Sequence, residues 1–530
     1  MIPIVSRSRI GTGQTETEVY PERSRTVSSN RDRDWDRDYS NLGPFRTVPT
    51  TIYYYSRFPR CRPTPPLLPL PPRPRPRPAG AYSSSQSPAP LFSIYSSHPP
   101  PSSLLPVIDF AAPRPPPPTA LRHLLFGIAS SSKSLPRRLP YLRLWFHPSQ
   151  INAIVFLDAP PPPLPLSPSD PPIAVSSDSS RFLYTFPGGL RSAIRVARIA
   201  KELVDRDLPD IRWIVLGDDD TIFFPQNLLA TLRKYDWTKW YYVGARSESV
   251  GQNAKHWFGM AFGGGGFAIS YPLARVLAKF LDSCLNRYAH LYGSDDRVYA
   301  CLVELGVELT YEPGFHQVDL RGNLFGLLSA HPLTPLVSLH HVDNIDPIFP
   351  GMNRSEALKH LFEAVKVDSG RVLQQSICYD GSKERTISVS WGYVVQVFEG
   401  KQLLPDLLSL QQTFAPWKRN RDPSSSLFMF NTREVPKDPC KRPAVFFLKS
   451  ISSEIGRIES NYSRFHDGNC PQSMSSTKKL QQIRVSSQKL NIETLQGLRR
   501  HCCDVLSLSD KIMDINIRKC EDDELIAVIS

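Results

Sequence analysis

Arg212-Trp-Ile-Val-Leu-Gly-Asp-Asp-Asp-Thr-Ile-Phe-Phe224 carries an unbroken apolar run into a glycine and then into three consecutive carboxylates. Trp213, Ile214, Val215 and Leu216 have no polar residue between them. This predicts a strand covered on both faces, as in a largely parallel sheet. Asp218, Asp219 and Asp220 then fall at its carboxyl end, where open α/β sheets take their ligands. Adjacent carboxylates repel one another unless a cation or protons neutralise them. A divalent metal holding a phosphate is one reading. The other is a solvated acidic turn leading into a helix at Pro225, and the segment alone leaves both open.

At 530 residues the chain has room for two or three domains. Residues 1–118 read as a disordered Arg/Pro/Ser-rich tail. They open on repeats such as Arg31-Asp-Arg-Asp-Trp-Asp-Arg-Asp38 and continue into proline blocks at 65–78 and 99–118. Such a stretch buries too little apolar surface to offset its ordering entropy and favours disorder or polyproline II. The formal charge of +13 does not make the chain a nucleic-acid binder, because many arginines lie in this tail and the rest form no stripe with interleaved aromatics. A basic balance also suits anionic sugar-nucleotides or membrane surfaces. No run of about 18 apolar residues is present, so no membrane span is expected.

Nine cysteines include no CxxC pair, and Cys502-Cys503 lacks zinc-ligand spacing. Five fall after residue 436, which suggests disulfides there in an oxidising compartment. Asn353-Arg-Ser and Asn461-Tyr-Ser are glycosylation sequons.

From Leu121 the pattern becomes globular. Strands are expected at 124–129 and 154–157, with a helix ending near 141–146 between them. The proline-rich insertion 160–172 reads as a surface loop. An amphipathic helix covers 190–204, with Arg191, Arg195, Arg198 and Lys201 assigned to a solvated face. Further helices are expected at 225–235, 272–288 and 294–306, the last capped by Ser294 and Gly306, and a strand at 240–243. Cys284 lies on the apolar stripe of the 272–288 helix, as a core or disulfide residue. Alternating strands and helices over 121–345 give one α/β domain, bounded at 119–436. Residues 437–530 form a small β-rich C-terminal extension with strands at 444–448, 482–485 and 511–517.

Four features then cluster. Beside the aspartates stands Gly263-Gly-Gly-Gly-Phe-Ala-Ile-Ser270, whose glycines allow close backbone approach or positive φ. It matches neither a P-loop nor a dinucleotide fingerprint, and a flexible turn is the alternative. In Tyr292-Gly-Ser-Asp-Asp-Arg297 the acids Asp295 and Asp296 occupy a helix first turn, where the macrodipole favours them in any case. The same geometry presents an ionised general base. Val337-Ser-Leu-His-His-Val-Asp343 offers a histidine to complete a metal shell, or a packed one.

These blocks, together with Tyr241-Tyr-Val-Gly-Ala-Arg-Ser247, Gly314-Phe-His-Gln-Val-Asp319, Gln374-Gln-Ser-Ile-Cys-Tyr379 and Ser388-Val-Ser-Trp-Gly-Tyr393, resemble the Fringe-type β-1,3-glycosyltransferases. The likeness spans about 121–530 and is nearest to the plant Fringe-related proteins, long labelled a domain of unknown function. The resemblance implies a GT-A, Rossmann-like domain and an inverting, metal-dependent transfer from a UDP-sugar to a hydroxyl of a glycan or glycoprotein acceptor. It places Asp220 and His340 on a divalent cation, usually Mn²⁺, with Asp218 beside them. Asp218 or Asp219 would orient the donor, and Arg138 would lie near the uridine. Gly264 and Gly265 belong to the floor under the donor sugar. Asp296, paired with Asp295, would be the base. The family is also membrane-anchored in the Golgi lumen, an expectation that the Arg/Pro-rich start of this chain, without a span, departs from. A catalytically weak or inactive glycan-binding module is the competing class.

Overall fold

A computed structural model of the chain describes residues 117–380, 385–418, 423–454, 456–466, 479–491, 499–509 and 511–527. Except for its last two residues, the tail assigned to 1–118 lies outside the described residues.

The apolar run does sit at the centre of a sheet. Seven strands, β1 (Leu124–Ala129), β2 (Asn152–Leu157), β3 (Ile173–Val175), β4 (Trp213–Asp218), β5 (Tyr242–Gly244), β6 (Phe267–Ser270) and β7 (Leu309–Tyr311), order as β3-β2-β1-β4-β6-β5-β7. β3, β2, β1 and β4 pair in parallel, whereas β6 runs antiparallel between β4 and β5. Residues alternate between the two faces and both are covered. Trp213 and Val215 join a core with helix α1 (Leu135–Trp145). Ile214 and Leu216 join a second core with helix α2 (Ser192–Val204). Each fully buried apolar side chain of this kind contributes roughly 1.5–3 kcal/mol, which is why a strand covered twice needs no polar alternation.

Helices α3 (Pro225–Leu232), α4 (Val250–Lys255), α5 (Tyr271–Arg287) and α6 (Ser294–Glu304) follow. Two expectations on this layer change. Ser294 is the first helical residue, and Gly293 is the cap, its N–H bonded by Asp296 Oδ2 at 2.9 Å. Arg198 is not on a solvated face: it is 5% exposed, bonds Asp282 at 2.9 Å and lies over the Phe182 ring. Cys284 is disulfide-bonded to Cys301, tying α5 to α6. The loop between β2 and β3 contains neither helix nor strand.

After helix α7 (Arg354–Asp368) comes an eight-stranded sheet of β8 (Gln375–Asp380), β9 (Arg385–Ser390), β10 (Val394–Glu399), β11 (Ala444–Glu454), β12 (Arg457–Phe465), β13 (Gln482–Gln488), β14 (Cys502–Leu508) and β15 (Ile512–Arg518). Its order is β8-β9-β10-β11-β12-β13-β15-β14. The β-rich region thus takes three strands from upstream of the expected break at 436/437, and β10 pairs with β11 directly across it, Val394 opposite Phe447. Trp391 and Val395 of this sheet share one core with Trp213 of β4. The two edge strands are joined by Cys378–Cys503, and Cys502 pairs separately with Cys520. No helix among the described residues is long and apolar enough to cross a membrane.

Candidate active site

Beyond the carboxyl end of β4 the chain turns sharply. Thr221 N–H bonds the Asp218 carbonyl at 3.0 Å, while the Thr221 hydroxyl accepts from Asp218 N–H at 2.8 Å and donates to the Gly264 carbonyl at 2.7 Å. The aspartate turn is therefore fastened to the glycine turn. The next two residues, Ile222 and Phe223, pair antiparallel with Leu339 and Ser338. That short ladder delivers His340 to the aspartates from more than a hundred residues away.

His340 Nε2 lies 3.1 Å from Asp220 Oδ1 and 3.8 Å from Asp218 Oδ2. Its Nδ1 faces the Gln317 carbonyl at 3.2 Å. A carbonyl only accepts, so Nδ1 carries a hydrogen, and Nε2 is the ring nitrogen turned toward the carboxylates. An imidazole nitrogen and two carboxylates that converge in this way can share a cation. One ligand atom each from Asp218, Asp220 and His340 lie within 4.8 Å of one another, and two carboxylates with an imidazole suit Mn²⁺ or a similar ion. The residues fit the metal.

The charge balance agrees. Burial and the neighbouring Asp220 and Asp219 push the Asp218 carboxyl up to about 7, against the pull of His340. Although burial opposes it, Asp220 is held well below the ordinary carboxylate range by His340 and Arg138. Arg138 of α1 ion-pairs with Asp220 at 2.7 Å and with Asp343 at 3.0 Å. It therefore stands on the acidic corner itself, and its single charge leaves the three aspartates under-neutralised. Asp219 faces Arg138 through Oδ1 at 3.9 Å, while its Oδ2 accepts from the Ser130 and Ser134 hydroxyls at 2.7 and 2.6 Å. It ties the turn to the start of α1.

The glycine turn is the hub. A Cβ on Gly264 would lie 2.0 Å from His340 Cε1, so only glycine lets the ring sit there. Gly265 N–H donates to Gln317 Oε1 at 2.6 Å, and its carbonyl accepts from the Ser338 hydroxyl. Gly266 takes φ +79, which closes the turn through Gly266 N–H to Gly263 O at 3.0 Å. Gly263 N–H donates to Asp295 Oδ2 at 3.0 Å.

The acid pair of α6 divides. Asp296 is 3% exposed and bound to His256 Nδ1 at 2.9 and 3.1 Å. Against burial, His256 holds Asp296 below the usual carboxylate range and Asp296 in turn raises His256. Asp295 lines the cleft together with Asp218, Gly217 and Gly263. Burial and the adjacent Asp296 push its carboxyl upward, the direction a general base at neutral pH needs.

Three further residues shape the site. His256 sits 40 positions before its partner. Gln317 orients both His340 and Gly265. Arg195, assigned to a solvated face, instead bonds the Ser130 carbonyl at 2.8 Å and the Phe156 carbonyl at 3.1 Å, over the ends of β1 and β2. Only Gln317 could have been found, from its place inside the Gly314–Asp319 block.

The family described as Fringe-like matches residues 173–326, the stretch holding β4, the glycine turn and α6. With that match, the sheet and its acidic corner define a glycosyltransferase with a GT-A-type domain. A second match, to a family described as a protein of unknown function, DUF604, covers 252–503 and continues into the eight-stranded sheet. The chain belongs to the Fringe-related family. No curated protein matches the sequence. Among solved structures, a glycosyltransferase involved in the glycosylation of the major capsid of PBCV-1 is similar at 12% identity and TM-score 0.24, over 45% of this chain and 98% of its own. Mouse xyloside xylosyltransferase 1, in its apo form, is similar at 12% identity and TM-score 0.23, over 36% of this chain and 84% of its own. Both scores are too low for either likeness to bear on function.

Proposed function

We propose that this protein is an inverting, metal-dependent glycosyltransferase. It moves a sugar from a UDP-sugar to a hydroxyl of a glycan or glycoconjugate acceptor, with the β-1,3 linkage that the Fringe resemblance implies. One observation carries the reading: the Asp218–Asp220–His340 corner and the Asp295 carboxylate are both fastened to one four-glycine turn, the corner through Gly264 and Asp295 through the adjacent Gly263. Asp218, Asp220 and His340 would hold Mn²⁺, whose charge stabilises a departing diphosphate. Asp295 takes the proton from the acceptor hydroxyl as that oxygen attacks the anomeric carbon. Asp296, locked to His256 and to the Gly293 N–H, fixes the first turn of α6 and so the direction of Asp295. Thr221 and Gln317 keep donor and acceptor sides in register through the glycine backbone.

Lumenal work in the secretory pathway accords with the disulfides at 284–301, 378–503 and 502–520, which persist in oxidising compartments, and membrane association follows from the Fringe resemblance alone. The test is a panel of UDP-sugars with the purified chain and Mn²⁺, read as UDP release with and without chelator. Release with one donor, abolished by chelation, is expected. The competing reading, a sugar-nucleotide-binding module without catalysis, draws on the Arg138–Asp220 ion pair, which already places a cation at the corner. UDP binding that ignores Mn²⁺, with every donor silent, would select it.

A further inference from the structure

The segment from His256 to Gly263 is tied to the acid pair at both ends. His256 bonds Asp296 at 2.9 Å, and Gly263 N–H bonds Asp295 at 3.0 Å. What lies between is therefore fixed in place relative to the acid pair. Trp257 is 45% exposed and Phe258 48% exposed, and among the described residues no other consecutive aromatic pair is exposed to this extent. Each keeps about half of its surface in water, which forgoes on the order of 1 kcal/mol relative to full burial.

Neither ring is on a loose tether. Helix α4 is capped by the Ser249 hydroxyl accepting from Gln252 N–H. Met260 N–H bonds the Trp257 carbonyl at 3.2 Å. The Trp257 ring rests 5.9 Å from Tyr299, one turn along α6 from the acid pair. A rigid exposed aromatic surface beside a general base is suited to a flat apolar ligand face.

We propose that Trp257 and Phe258 form the acceptor platform, stacking on the C–H face of a neutral pyranose whose hydroxyl is directed to Asp295. This inference rests on the transferase reading and specifies its acceptor side: a carbohydrate ring, recognised by stacking rather than by charge.

Saturation-transfer NMR with methyl β-D-galactopyranoside, methyl β-D-glucopyranoside and N-acetylglucosamine tests it on the full chain without donor. At least one sugar gives signals confined to one ring face. Trp257→Ala weakens binding roughly three- to tenfold, Trp257→Phe restores most of it, and Phe280→Ala, an exposed aromatic on α5, leaves it unaltered. Equal binding in the Trp257→Ala/Phe258→Ala double variant overturns the platform, as does no binding of any probe to the wild type. A separate UDP titration with Mn²⁺ keeps the two questions apart: absent UDP binding overturns the transferase reading, whatever the sugar signals show.

Discussion

Replacing Gly264 by alanine is the sharpest local perturbation of the site. The added Cβ would stand 2.0, 2.3 and 2.5 Å from His340 Cε1, Nδ1 and Nε2. The ring must retreat by about 1.4 Å to regain ordinary contact near 3.4 Å. It has little room to do so, being 4% exposed with the His341 ring centred 3.9 Å away. Displacing a ligating or catalytic group by about 1 Å costs on the order of 10²-fold in rate, and overpacking of this kind costs about 1–3 kcal/mol in stability. Gly263 provides the contrast, because its Cβ would first meet Asp295 Cβ at 3.4 Å. Transfer rates measured against Mn²⁺ concentration, with thermal melting alongside, should show Gly264→Ala with a rate loss near two orders of magnitude and weakened metal response. Gly263→Ala should lose far less. Wild-type metal response in Gly264→Ala would refute the placement of His340 against the turn.

The other predictions concern the supports of the site. Thr221→Val removes two hydrogen bonds, one inside the aspartate turn and one joining it to the glycine turn, and should cost roughly 1–3 kcal/mol, seen by urea unfolding. Removing the Cys378–Cys503 bond by serine substitution opens a 125-residue separation and should cost about 5 kcal/mol by loop closure, read as a lower Tm than the wild type under non-reducing conditions. His256→Gln should destabilise by on the order of 3 kcal/mol, with a defined pH window. The lowered Asp296 contributes fully above its unfolded value of 3.8 and loses this as pH falls through its folded value. The raised His256 contributes fully below its unfolded value of 6.5 and loses this as pH rises through its folded value. The Tm difference should therefore be largest between these limits and shrink on both sides.

Residues 213–216 were readable as a doubly covered strand because an apolar run needs no partner information to be recognised. The 271–287 helix was readable because its stripe is local, as was the acidic turn. Strand β6 was not, since four residues after a glycine run carry no period, and its antiparallel pairing with β4 is decided by contacts 53 residues apart. The three strands at 375–399 were missed as members of the C-terminal sheet because their partner, β11, begins 45 residues beyond β10. Within the site, Asp218, Asp220 and His340 were named together through the Fringe resemblance, and their ligand atoms lie within 4.8 Å of one another. The orientation of Asp219 depends on Ser130 and Ser134, 89 and 85 residues distant. The ion pair of Arg138 with Asp220 depends on how α1 packs, which no local pattern reveals. The acid pair shows the limit most clearly: Asp295 and Asp296 are equivalent as letters, and their contacts distinguish them, Gly263 N–H on Asp295 against His256 and Gly293 N–H on Asp296.

That distinction gives the most direct measurement: UDP affinity with Mn²⁺ and transfer rate for Asp295→Asn beside Asp296→Asn. Asp295→Asn should bind UDP like the wild type and lose transfer by about 10²–10⁴-fold, whereas Asp296→Asn should retain more of its rate and chiefly lose stability. Full transfer in Asp295→Asn, with abolition confined to Asp296→Asn, would contradict the assignment of the base.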